Sequence, residues 1–133
     1  MLFRSYYNLA FSLAEFDKLD QAIEYFRKSV SLDPLDISAQ RDLGRALMLR
    51  GEAAEGLEHL RLAASFDPNH THVMYWLGIT LSKAGQHQEA VPVLRDQVAR
   101  RPEDVTLRHA LALSLLETGE TEDRKSTRLN SSH

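Results

Sequence analysis

Apolar residues step along this chain by threes and fours. Leu43, Ala46 and Leu47 form one such stripe, and Leu57, Leu60, Ala63 and Ala64 form the next. That spacing gathers them on one face of an α-helix. Gly51, Gly85 and Gly119 fall where the first helix of each pair must end. Glycine closes a helix in the left-handed conformation without a side-chain penalty, so the pattern predicts three helix stops. Pro34, Pro68 and Pro102 end the second helix of each pair, since proline lacks the N–H to continue and biases its predecessor away from helix. Asp36 and Asp104 then stand where they cap the helix that follows. Pro92 sits inside a helical pattern and is expected in a first turn, where a missing N–H costs little.

Sliding the sequence along itself shows why these signals repeat: residue types recur every 34 positions. Leu9, Leu43, Leu77 and Leu111 share one column, and Leu13, Leu47, Leu81 and Leu115 another. Small residues hold a third column, Ala10, Gly44, Gly78 and Ala112, and a fourth, Ala22, Gly56 and Ala90. Phe26, Leu60 and Leu94 fill a fifth with bulk. Small residues on one helix let its partner approach, while large ones opposite fill the space. The expected fold is all-α, built from antiparallel helix hairpins.

The set Leu77, Gly78, Leu81, Gly85, Ala90, Leu94 and Pro102 resembles the tetratricopeptide repeat, as do the equivalent sets starting at Tyr6 and Leu43. The resemblance runs from Phe3 to about Glu122. It implies a right-handed superhelical solenoid of about seven helices, with repeats over 3–36, 37–70 and 71–104 and a partial one over 105–122. Two columns depart from the family pattern. The large aromatic of the first helix is Tyr6 in the first unit but Gln40, Met74 and Arg108 later, and Asp17 replaces the first glycine.

Composition narrows the function classes. With 43% hydrophobic and 26% charged residues, the chain reads as a soluble globular domain rather than a disordered tail or a membrane protein. The apolar start from Met1 to Phe11 is interrupted by Arg4, Ser5 and Asn8 and is not read as a signal peptide. No cysteine is present, which removes disulfides and thiolate chemistry and fits a reducing compartment, with the cytoplasm as the expected location. A net charge of −3 offers no general attraction to nucleic acid or membrane.

Asp123 to His133 leaves the frame, because Arg124 stands where the small-residue column needs alanine or glycine. This stretch also resembles the translation of a sequencing-adapter oligonucleotide and is set aside as a non-native tail. Three of the 16 basic residues and one of the 19 acids lie in it, so the remainder is more acidic than the total. The helix beginning at Val105 carries leucines on several sides, unlike a solvated cap, so further repeats or another domain are expected in the intact chain.

The resemblance also implies a binding surface, since first helices of successive repeats line a concave groove that holds partner peptides. Carried onto this chain, the groove positions are Tyr7, Asn8 and Phe11; Arg41, Asp42, Arg45 and Met48; His72, Tyr75, Trp76 and Ile79; and His109. Aromatic surface beside Arg41 and Arg45 suits a peptide with apolar anchors and an acidic group. The carboxylate clamp for heat-shock chaperone tails needs lysine, asparagine, asparagine, lysine and arginine, where this chain has Tyr7, Phe11, Asp42, His72 and Trp76. His70 and His72, even with His59 and His87, lack the spacing of a metal site. No nucleophile elbow, phosphate loop or other cofactor motif is present. The expectation is a non-catalytic scaffold for a protein or peptide partner, without nucleic acid, membrane or cofactor. The alternative is the recognition arm of a larger enzyme, such as a glycosyltransferase or signalling protein.

Overall fold

The computed structural model describes the backbone of residues 2–131 and the side chains of residues 2–119. Among them run seven α-helices: α1 (Leu2–Glu15), α2 (Leu19–Leu32), α3 (Ile37–Leu49), α4 (Ala53–Phe66), α5 (Thr71–Lys83), α6 (His87–Arg100) and α7 (Val105–Ser131). Each pairs with its neighbours in sequence, and α1, α3, α5 and α7 also touch in succession. The result is an all-α solenoid of helix pairs with the odd-numbered helices side by side.

The turns within pairs repeat one geometry. Gly51 and Gly85 adopt φ of 97° and 82°, and the amides of Glu52 and Gln86 donate back to the carbonyls of Leu47 (2.8 Å) and Leu81 (2.9 Å). Asp17 takes the same left-handed conformation at φ 63°, and Lys18 N–H reaches Leu13 O at 2.9 Å. This is the C-terminal closure in which a left-handed residue lets two amides satisfy the last carbonyls. Gly119, expected to be a third such stop, instead lies within α7. Residues 120–131 contain neither glycine nor proline, so no helix-breaking residue halts α7 there. The tail expected from Asp123 to His133 falls outside the residues whose side chains are described, and its backbone to Ser131 continues this helix.

Turns between pairs also recur. Residues 33–36, 67–70 and 101–104 each close with an amide-to-carbonyl bond of 3.1–3.3 Å across a proline. Asp36 Oδ1 then accepts from the amides of Ser38 (3.0 Å) and Ala39 (3.3 Å), and Asp104 Oδ1 from Leu107 (3.0 Å), capping α3 and α7. His70 does the same for α5, its Nδ1 accepting from Val73 N–H at 3.4 Å. Pro92 proves to be the sixth residue of α6 rather than part of its first turn, because α6 begins at His87. It is exposed, so its ring meets solvent and the helix gives up one backbone bond.

The repeat columns become the core. Phe26, Leu60 and Leu94 are at most 1% exposed, and Leu43, Leu47 and Leu81 are fully buried. The core divides into two clusters: one joins α1, α2 and α3, and the other runs from Met48 through α4, α5 and α6 to α7. Leu9, in the same column as Leu43, is 43% exposed, since no helix among those described packs on that side of α1.

The aromatic column that departs from the family pattern changes together with its neighbour. Tyr6 stacks on Tyr25 in the first pair, with ring centres 6.0 Å apart. In the second pair the equivalent residues are Gln40 and His59, joined by Nδ1 to Oε1 at 2.8 Å, and Gln40 Nε2 also donates to Pro34 O at 3.0 Å. An amide and an imidazole thus replace an aromatic stack. Burial holds the His59 pKa below its ordinary 6.5. Such a group contributes its full stability above the unfolded value and loses it as pH falls through the depressed folded value. On acidification from about pH 7 to about pH 5, the wild type is therefore expected to lose more thermal stability than His59→Gln. Parallel melting curves by circular dichroism check this; equal losses would remove His59 as the cause.

Candidate binding groove

Six of the expected groove residues, drawn from three repeats, converge. Phe11 of α1, Arg41, Asp42 and Arg45 of α3, and His72 and Trp76 of α5 line one open hollow. The convergence follows from the solenoid: positions 34 apart lie on successive odd helices, so residues distant in sequence become lateral neighbours.

Asp42 organises the floor. It is 4% exposed, and a buried carboxylate must be paired and hydrogen-bonded to be tolerated. Tyr7 O–H donates to Oδ2 at 2.6 Å, while Arg41 donates from Nε to Oδ1 at 3.0 Å and from Nη2 to Oδ2 at 3.2 Å. Burial, then the bond to Asp42, pushes the Tyr7 hydroxyl pKa upward, so it remains a donor. Burial works against the Arg41 charge, but its bonds to Asp42 outweigh that and raise its pKa. Tyr7 further packs its ring against Phe26 (5.9 Å) and Phe11 (6.3 Å). Tyr7, Arg41 and Asp42 therefore lock the first repeat to the second, and the Arg41 charge is already spoken for.

Arg45 is different. Its guanidinium lies 4.9 Å from the centre of the Trp76 ring, its Nε is buried without a hydrogen-bond partner, and no carboxylate pairs with it among the described residues. A cation resting on an aromatic face keeps its capacity to bind an anion. Trp76 is held edge-on by Tyr75 at 4.9 Å, and Tyr75 O–H donates to Asp104 Oδ2 at 2.9 Å. Burial and that bond raise the Tyr75 pKa to about 12. Arg101 covers the other aromatic partner, 5.2 Å from the Tyr75 ring centre.

The remaining expectations divide. Asn8 and His109 are exposed on α1 and α7, outside the hollow. Met48 and Ile79 require correction: at 6% and 2% exposed they belong to the core cluster. Both were placed by column alone, yet an apolar side chain at the border of a groove column turns inward when the adjacent helix offers it a core. A second, smaller hollow was missed. Ala14, Leu19, Ala46 and Leu49 line it with Phe11, Phe26, Asp42 and Arg45, so it adjoins the first. One signal was present: Leu49 occupies a column otherwise charged, Glu15 and Lys83. His59 and His87 bond to Gln40 and Ser114 respectively, and no cluster of three metal-binding side chains occurs among the described residues. Nor does any described helix have the length and apolarity to cross a membrane.

Comparison with known proteins agrees with this architecture. Family models described as tetratricopeptide repeat match residues 3–34, 37–61 and 72–103. No curated protein sequence matches. Among solved structures, MamA from Desulfovibrio magneticus RS-1 superposes with a TM-score of 0.77 at 23% identity, over 90% of this chain and 68% of that one. The first repeat domain of Spaghetti (RPAP3), bound to the HSP90 peptide SRMEEVD, gives 0.75 at 14% identity over 88% and 95%. The Sgt2 domain from Aspergillus fumigatus gives 0.76 at 13% identity over 91% and 82%. At such identities the likeness is one of fold. Three matched repeats in register with the helix pairs and the buried columns show that the chain belongs to the tetratricopeptide repeat family.

Proposed function

We propose that this chain is a non-catalytic interaction module that holds a protein or peptide partner in the hollow between α1, α3 and α5. The observation that carries this reading is Arg45: a cation stacked on Trp76, with no carboxylate partner among the described residues, where two adjoining hollows meet, the smaller of them lined by Phe11, Leu19 and Leu49 beside Asp42 and Arg45 itself. A partner offering an acidic group beside an aliphatic or aromatic side chain satisfies both. Phe11 and Leu49, 40% and 51% exposed, supply the apolar contact. Buried Arg and Trp anchors dominate the energetics of many interfaces. A solved relative carries an acidic peptide, SRMEEVD, which supports the class of partner.

Arg45 rather than Arg41 is the residue to substitute, since Arg41→Glu would set two carboxylates against each other at Asp42 and confound binding with folding. Random peptides displayed on phage and selected on the chain are expected to be enriched in acid next to apolar residues. Arg45→Glu and Trp76→Ala should each weaken the selected peptides about tenfold or more with unchanged helicity. Retained binding in both variants would place the partner elsewhere.

A further inference from the structure

The third helix pair lacks the rings that the first two carry at one set of columns. Phe3, Tyr6 and Leu32 of the first pair correspond to Ile37, Gln40 and Phe66 of the second and to Thr71, Met74 and Arg100 of the third. In the third pair these residues border a recess of about 210 Å³, between the start of α5, the second half of α6 and the turn at Pro68 and Asn69. A single ordered water needs only about 15 Å³ of such space, so this one admits a whole side chain.

One wall of the recess is polar and buried. Gln97 lines it, is 2% exposed, and its Oε1 finds no hydrogen-bond partner among the described residues. The same column holds Ser29 in the first pair, where the hydroxyl donates to Phe3 O at 2.8 Å, and the apolar Ala63 in the second. A buried amide oxygen left unpaired costs free energy, so a ligand that bonds this amide gains what the fold forgoes. Met74 supplies an apolar wall, and Arg100 is held at the rim by its Nε, which donates to Asp96 Oδ2 at 3.0 Å. A further pair would leave the recess open. Lys28 and Leu62 share the Asp96 column and are exposed, although other pairs follow theirs.

The first pair shows which group such a site suits, since Tyr6, in the Met74 column, carries a phenol with Lys28 Nζ 5.7 Å from its ring centre. We propose that the recess between α5 and α6 takes the tyrosine side chain of a partner protein, restoring from outside the ring that Met74 replaces. The ring lies against the Met74 thioether and beside the Arg100 guanidinium. Its hydroxyl both donates and accepts, and the two-fold terminal torsion of Gln97 turns either amide atom towards it. None of these residues lines the hollows of the groove, so the two sites stand or fall separately.

The probe is N-acetyltyrosinamide, titrated into the whole chain and followed by the backbone amide shifts of Thr71, Met74 and Gln97. A saturable shift with a dissociation constant of about 1 mM is expected. N-acetylphenylalaninamide, which lacks only the hydroxyl, should bind about fivefold more weakly. Gln97→Leu, in a column that already holds Ala63, should bring the two probes to equal affinity. Met74→Tyr, which places in the third pair the residue of the first, should abolish binding of both by filling the space itself. Circular dichroism checks that each variant folds; should one fail, the other and the comparison of probes on the wild type still decide. No saturable shift, equal affinity of the two probes for the wild type, or undiminished binding to Met74→Tyr would overturn the proposal. Binding of p-cresol without binding of N-acetyltyrosinamide would overturn it too, by assigning the recess to a free phenol.

Discussion

Gly56→Ala is expected to destabilise the domain by about 2 kcal/mol or more, although alanine is the better helix former by about 1 kcal/mol. A Cβ at residue 56 would lie 2.5 Å from the carbonyl oxygen of Gly44 and 3.2 Å from the amide nitrogen of Met48. Both atoms are backbone, so relief requires α3 and α4 to part, and Gln40–His59 and Leu60 would part with them. The equivalent residues Ala22 and Ala90 show that the column tolerates a methyl group where the facing helix differs. Gly78→Ala is the internal control. Its Cβ would meet Leu94 Cδ2 at 2.9 Å and Val93 Cγ1 at 3.2 Å, both side-chain atoms that can shift, and the first pair already carries Ala10 there. Urea unfolding midpoints should therefore drop sharply for Gly56→Ala and by less than about 1 kcal/mol equivalent for Gly78→Ala. Equal losses would mean that helix separation is not set at residue 56.

The contrast between those glycines shows where the sequence was legible. A period of 34 residues reports what every repeat shares, and so the helices, turns and core columns could be read from it. It is silent on what differs between repeats. That Asp42 is buried under Tyr7 and Arg41, while Arg45 is left to Trp76, depends on lateral contacts between units of unlike composition. The same limit applies to Met48 and Ile79, which share columns with groove-facing residues and yet lie in the core. The break after Gly119 is a different matter. A glycine stops a helix only when the chain beyond it turns back, and here the backbone continues as helix to Ser131 with no proline or further glycine on the way.

Lateral coupling also ties the groove to the core. Asp42 receives its proton donor from another repeat, so the hollow exists only while the first pair is docked on the second. Phe26 is the residue that holds it there: it is 1% exposed, packs under Tyr7 at 5.9 Å, and is the largest side chain of the cluster joining α1, α2 and α3.

Phe26→Ala is expected to cost about 3–5 kcal/mol, but not uniformly along the chain. In a solenoid each unit is stabilised by itself and its neighbours, so damage to one pair falls mainly on that pair and on what it touches. The cluster containing Phe26 is separate from the one that runs from Met48 to α7. Native-state hydrogen exchange should therefore show amides of α1 and α2 losing protection by about a hundredfold or more, with α5 and α6 nearly unchanged. The peptide binding proposed for the hollow should fall in parallel, although Phe26 itself is buried beneath it, because Phe11 and the Tyr7 bond to Asp42 leave with α1. Loss of protection shared equally by all helices would show instead that the repeats unfold as one unit. In that case the groove would owe its shape to the whole array rather than to the junction of its first two pairs.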